Sequence, residues 1–334
     1  MNKKQNLLKK KLDLIFNTRL FYPMNIKPLL EGLLTFLPGC SEILTKATLG
    51  TDSPFYCYSV WMRHAVKTRP YLKKASNTVI ELGPGDSLGT GLAALISGAK
   101  RYIALDVIKH ANLERNIRVF NDLLYLFSIR HRIPDSTDFP KIIPLLDDYE
   151  LPKWIQKEKE LISEDSIKKI TNDLSNINNK NPSISYLSPE LAETNLPTNS
   201  VDLIFSQAVL EHAENLFLLY KKCFDWLSPY GIMSHAIDFK SHGTALVWNG
   251  HWTYSSLLWR MMRGRRPYLI NREPLSTHLR LMREAGFEII LVERHKTKSN
   301  LKTKQLAKAF SNLDQDDLTT SGAYIIAQKP CEVT

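Results

Sequence analysis

Residues 79–89 read Val79-Ile80-Glu81-Leu82-Gly83-Pro84-Gly85-Asp86-Ser87-Leu88-Gly89. An apolar strand turns at two glycines and meets a run of small residues, Thr90 to Ile96, with helical character. Glycines at 83 and 85 let the chain turn sharply and let its backbone approach a ligand where a Cβ would clash. The helix that follows presents unpaired N–H groups and the positive end of its dipole. Asp106, 21 residues beyond Gly85, closes the next apolar stretch, where a carboxylate can accept the hydroxyl hydrogens of a ribose. A dinucleotide loop requires G-x-G-x-x-G, but Leu88 holds the third glycine position and Gly89 comes one residue late. A Walker loop requires Gly-Lys-Ser/Thr, which is missing from this stretch. Glu81, just before the turn, would repel a pyrophosphate and suits a cationic group.

Outward from the turn, short strands alternate with helices, the pattern of a parallel α/β sheet. The strands are expected at 78–82, 101–107, 183–187, 201–206 and 231–239, followed by a helix from Leu275 to Ala285. Two final strands, 287–293 and 323–328, are expected to form an antiparallel hairpin at the sheet edge. Before residue 77 the chain reads as helical pieces at 7–20, 26–36 and 56–66. Two connections exceed a simple crossover. One, about 128–182, is rich in Pro, Asp, Lys and Asn and contains a charged helix within 157–180; the other, about 241–274, is dense in Trp, Tyr and Arg.

The strand–turn–helix with its preceding acid resembles the first motif of class I S-adenosylmethionine (SAM) methyltransferases. Leu196-Pro197, Ser200-Val201-Asp202-Leu203-Ile204 and Val209-Leu210-Glu211-His212 are similar to the fourth-strand region of that superfamily's small-molecule branch. The resemblance covers roughly 77–111 and 183–330 without the insertions. It implies a mainly parallel, seven-stranded Rossmann-like α/β sheet with an antiparallel C-terminal strand. That domain would span 77–330, behind a helical extension over 1–76. SAM is the implied cofactor, held by Glu81, Gly83, Gly85, Asp106 and Gln207, with Ser87 in place of the usual third glycine and Ala192-Glu193 at the adenine. An N-terminal helix covering the cofactor would turn Tyr58 and Arg63 towards it. No metal is implied.

Methyl transfer from a sulfonium relies mainly on positioning, and an oxygen acceptor also needs a base near neutral pKa. Histidine is the default base. The candidates at the ends of strands four and five are His212, His235 and His242, with Asp238 as orienter. Trp248, His251 and Trp252 offer ring faces, and Arg263, Arg265 and Arg266 offer fixed charge, for an acceptor that is anionic or lipid-linked.

The 334-residue chain carries a net charge of +10, which favours anionic partners without choosing among them. The acceptor is expected to be a small molecule or saccharide, methylated on oxygen. RNA methylation is the alternative, although Ser206-Gln207-Ala208 differs from the Asp/Asn-Pro-Pro-aromatic motif that holds a base amino group. A non-catalytic SAM-binding or membrane-associated partner protein is a third reading. The four cysteines lack Cys-x-x-Cys spacing and are expected to be reduced thiols. Lysines 9–11 and Asp13 interrupt any signal-peptide core, and no apolar run is long enough to span a bilayer. The chain therefore reads as cytoplasmic, free or peripherally attached to the inner face of a membrane.

Overall fold

The computed structural model describes residues 25–37, 50–73, 76–156, 162–176, 183–266 and 269–331. Its centre is a seven-stranded sheet of order β3-β2-β1-β4-β5-β7-β6. The strands are β1 (Thr78–Leu82), β2 (Arg101–Leu105), β3 (Ile184–Leu187), β4 (Val201–Gln207), β5 (Leu227–Asp238), β6 (Glu288–Lys296) and β7 (Thr320–Gln328). β1 to β5 run parallel, and β7 lies antiparallel between β5 and β6. The two C-terminal strands thus pair as expected, with β6 at the edge and β7 inserted beside β5.

The central strands are buried on both faces, which is why they read as continuous apolar runs. Helices α2 (Pro54–Thr68), α3 (Gly89–Ile96), α4 (Leu113–Ser128) and α5 (Glu164–Ser175) cover one face. Helices α6 (Pro189–Asn195), α7 (Leu216–Trp226) and α9 (Leu275–Glu284) cover the other. α1 (Ile26–Leu34) packs against α8 (Ser256–Arg263), outside these layers. The helix expected at 7–20 lies outside the described residues. The charged helix expected within 157–180 is observed over Glu164–Ser175.

α2 begins on Ser53, whose side chain accepts the N–H of Tyr56, with Pro54 in the first turn. A serine cap of this kind is worth about 1 kcal/mol. The first insertion is fastened to α2 by Arg63, which donates to the carbonyls of Pro134 (3.0 Å), Ile142 (2.9 Å) and Pro144 (2.9 Å). Tyr58 donates to the carbonyl of His131 at 2.6 Å. Tyr58 and Arg63 are buried and serve the packing of the insertion, as a core helix would have them, and neither lines the cavity.

Candidate active site

The sheet order reverses between β1 and β4, because β1 is followed by β2 on one side and has β4 on the other. Ligands of open α/β sheets bind at the carboxyl ends of strands at such a point. There the structure has a cavity of about 380 Å³, within the range of a small-molecule site. Its floor is Leu82, Gly83 and Gly85 after β1, Asp106 after β2, and Gln207 and Val209 at the end of β4. Gly83 and Gly85 have φ of +64° and +74°. A Cβ on Gly83 would lie 2.6 Å from the Val209 side chain, so the turn requires glycine there for both reasons.

Two carboxylates face this cavity. Burial pushes the Glu81 acid up to about 7, against hydrogen bonds from Tyr102 and Thr90 that lower it. The Tyr102 hydroxyl donates to Glu81 Oε2 at 2.5 Å. Burial also raises the Asp106 acid, partly offset by backbone N–H groups from Ile108 and Gly85. No lysine or arginine lines the cavity among the described residues. Two carboxylates without a basic partner fit the ammonium and ribose hydroxyls of SAM and oppose a pyrophosphate. Apolar and aromatic walls from Val107, Pro189, Leu219 and Trp226 complete a place for a flat ring.

The expected N-terminal helix, α2, does border the cavity, through residues that the sequence reading did not single out. Thr51, Tyr56 and Val60 line the cavity. The Thr51 hydroxyl accepts the N–H groups of Asp86 (2.7 Å) and Ser87 (3.2 Å), tying the chain ahead of α2 to the glycine turn. The usable signal was the Ser53-Pro54 helix start, which places Tyr56 and Val60 one turn apart on one face. His110 also lines the cavity, and nothing in its sequence context marked it.

His212 and His242 both line the cavity, and their rings meet edge to face with centroids 5.3 Å apart. His242 Nε2 lies 3.5 Å from Asp238 Oδ2. Burial pushes the Asp238 acid up, yet the His242 and Lys240 contacts outweigh it and hold the group at about 2. Lys240 Nζ stands 3.0 Å from the same carboxylate. Burial, and then His242, lower His212 to about 4. His212 is thereby held towards its neutral form. Glu211, beside it, is buried with neither carboxylate oxygen hydrogen-bonded, and burial raises its acid well above the usual range.

Several expected site residues stand elsewhere. His235 is fully buried within the sheet; its Nδ1 meets the Ser206 hydroxyl at 2.8 Å, and burial lowers it to about 3. It cannot reach the cavity. Ala192 is core and Glu193 pairs with Lys222 at 3.6 Å, so neither lines the cavity, which Pro189 of the same helix does. The Ser87 hydroxyl donates to the Thr51 carbonyl and accepts the Gly89 N–H, supporting the turn from behind the cavity. Gln207 does line the cavity and meets His64 Nε2 at 3.2 Å.

The insertion after β5 does not bring its rings or arginines to the cavity. Trp252 is buried against Phe310 and Leu318, and its indole N–H donates to the Arg272 carbonyl. His251 is buried beside Trp252, and burial lowers it to about 3. Trp248 donates to the carbonyl of Lys298. Arg263 pairs with Glu214, Arg265 lies over the Phe36 ring, and Arg266 pairs with Glu31. These six residues build the insertion and its seat for α1, which corrects their assignment to the acceptor.

Residues 161–234, from the approach to α5 to the middle of β5, match the family model described as a methyltransferase domain. No curated protein matches the chain. Similar solved structures include a SAM-dependent methyltransferase from Mesorhizobium loti, at 15% identity over 79% of this chain and 96% of that one, TM-score 0.36. SAM-dependent methyltransferases from Methanosarcina mazei are similar at 12% identity over 80% and 98%, TM-score 0.42. Phosphoethanolamine N-methyltransferase 2 from Haemonchus contortus, in complex with SAM, is similar at 13% identity over 87% and 60%, TM-score 0.41. The domain match takes in β3, β4 and the first half of β5, and β4 ends at the cavity whose carboxylates suit SAM.

Proposed function

We propose that the protein methylates a hydroxyl of a small-molecule or saccharide acceptor, with His242 accepting the proton. The observation that carries this reading is His242 in the lining of the cavity, its Nε2 3.5 Å from Asp238 Oδ2. That contact orients the ring and leaves Nδ1 to take a proton, while the Asp238 carboxylate stabilises the imidazolium that forms. SAM supplies the methyl group on a sulfonium, and Glu81, Asp106 and the glycine turn hold it. As the O–CH3 bond forms and the S–CH3 bond breaks, the hydroxyl proton passes to His242, giving a methyl ether and S-adenosylhomocysteine. Neutral His212 and the apolar walls add no competing charge beside His242.

The test offers methyl-labelled SAM together with a cell extract resolved into water-soluble, lipid and RNA fractions. Label is expected in a methyl ether of the first or second fraction, lost with His242→Ala. Label in RNA or in a methylamine overturns the assignment. SAM binding without label in any fraction favours a non-catalytic SAM-binding protein.

A further inference from the structure

α1 breaks the usual rule for a surface helix. Its inner positions, Pro28 and Gly32, are buried, as the rule requires. Its outer positions, which water normally makes polar, are Ile26, Leu30, Leu33 and Leu34, with Lys27 as the one charged residue among them, and the row continues into Phe36 and Leu37. These six apolar side chains are 42% to 55% exposed. A helix that is apolar on both sides belongs against a second apolar phase. Isolated exposed leucines need no explanation, but a contiguous apolar patch marks an interaction surface.

The patch is a fixed part of the fold. A Cβ on Gly32 would lie 2.2 Å from the Met262 carbonyl oxygen, so α1 and α8 meet at backbone distance. Thr35 Oγ1 accepts the Arg265 N–H at 2.7 Å, and Arg266 Nη1 reaches Glu31 at 3.6 Å. α8 adds Leu257, 62% exposed, and Met261 to its own outer side.

Charge selects the occupant. Residues 256–266 contain four Arg and no acid; Arg263 and Arg266 pair with Glu214 and Glu31, and Arg260 and Arg265 remain in excess, in a chain of net charge +10. Apolar side chains beside a cationic excess fit an anionic bilayer surface, where the apolar face enters the acyl boundary and the cations meet lipid headgroups. Among the described residues no helix is long and apolar enough to cross a membrane, so the contact would lie on the surface.

The patch also adjoins the active site. Asn25, which caps α1, donates to the Gly243 carbonyl at 2.7 Å, one residue from His242. Leu246, on the same loop, is 64% exposed. We infer that the outer face of α1 and α8 docks on an anionic lipid bilayer and seats the mouth of the cavity at the lipid surface. The docking stands on this surface alone. Its consequence, that the acceptor hydroxyl is borne by a lipid or lipid-linked molecule, rests on the function proposed above.

Sedimentation of the full chain with phosphatidylcholine vesicles, with and without phosphatidylglycerol, tests the docking without SAM. Binding is expected only with the anionic lipid and should weaken as salt rises. Leu30→Ser/Leu34→Ser should reduce partition by about tenfold or more, since both side chains lose their transfer into the acyl boundary. Its thermal midpoint should match wild type, because both positions already face water. No binding to anionic vesicles overturns the proposal. So does binding that survives this double variant and disappears only when Lys3, Lys4, Lys9, Lys10 and Lys11 are neutralised. Self-association in sedimentation velocity, abolished by the same double variant, would reassign the face to a second copy of the chain. Vesicle binding with label found only on water-soluble acceptors would keep the docking and refute the lipid-borne acceptor.

Discussion

Glu81 should make SAM binding pH-dependent in a way that counts protons. Its acid is raised by burial to about 7, so below that pH the cofactor-free protein holds it protonated. A SAM ammonium beside it requires the carboxylate, so binding at lower pH must expel the proton. The apparent dissociation constant should then rise about tenfold for each pH unit below about 7 and level off above it. For the cofactor-free fold the sign is reversed. A raised acid contributes stability that is present below the ordinary value of 4.5 and is lost as pH rises through about 7. The loss is roughly 3 kcal/mol for this fully buried group. Calorimetry in buffers of different ionisation enthalpy would read the released proton directly, and thermal melts would read the stability. Glu81→Gln should flatten both dependences, weaken SAM, and leave the cofactor-free protein more stable at high pH. A dissociation constant that is flat from pH 6 to 8, with no proton released, would refute the placement of the ammonium at Glu81.

Asp106→Ala should weaken SAM by about 1.5–3 kcal/mol through loss of charge-assisted ribose bonds, read as a change in Kd with the thermal midpoint kept. His242→Ala should lower kcat about 100-fold while SAM affinity holds. Asp238→Asn should slow turnover by less and shift its pH profile, because the ring loses an orienting charge. His235→Leu should change the folding midpoint and leave kcat intact. Burial lowers the His235 imidazole, so its contribution is complete above 6.5 and is lost as pH falls towards about 3. The variant's midpoint should therefore differ least from wild type in acid.

The strands were legible because each central one is short, apolar and flanked by turn residues, and burial on two faces leaves little room for another composition. The glycine turn was legible for the opposite reason: Gly83 has a conformation and a neighbour that exclude a side chain, so its identity carries geometry. Ala192-Glu193 was misread because a one-residue offset on α6 turns Ala192 into the core and Glu193 towards Lys222, leaving Pro189 at the cavity. The Trp- and Arg-rich insertion was misread because ring faces and guanidinium groups serve a core as readily as a ligand. Arg272, outside the cluster that drew notice, lies between the Trp259 and Phe310 rings and donates to the Tyr254 carbonyl. Tyr56 and Thr51 were missed because their role depends on α2 lying across the turn, a contact between segments about 30 residues apart.

The histidines show why residue type alone could not locate the base. Nine are spread along the chain. His64 is lowered to about 4 and His235, His251 and His278 to about 3, all chiefly by burial, so each is a neutral hydrogen-bonding group at pH 7. His212 reaches the cavity but is lowered to about 4 by burial and by its neighbour. Of the other two that reach it, His110 lies at the Asp106 side, where the ribose belongs. His242 lines the cavity and has a carboxylate, Asp238, 3.5 Å from its Nε2. Its backbone adopts a positive φ of 47°, uncommon for a residue other than glycine, which turns the ring back towards Asp238. The proposed function therefore places the proton transfer at His242, just beyond the end of β5, rather than within the His-Ala-Ile-Asp sequence of the strand.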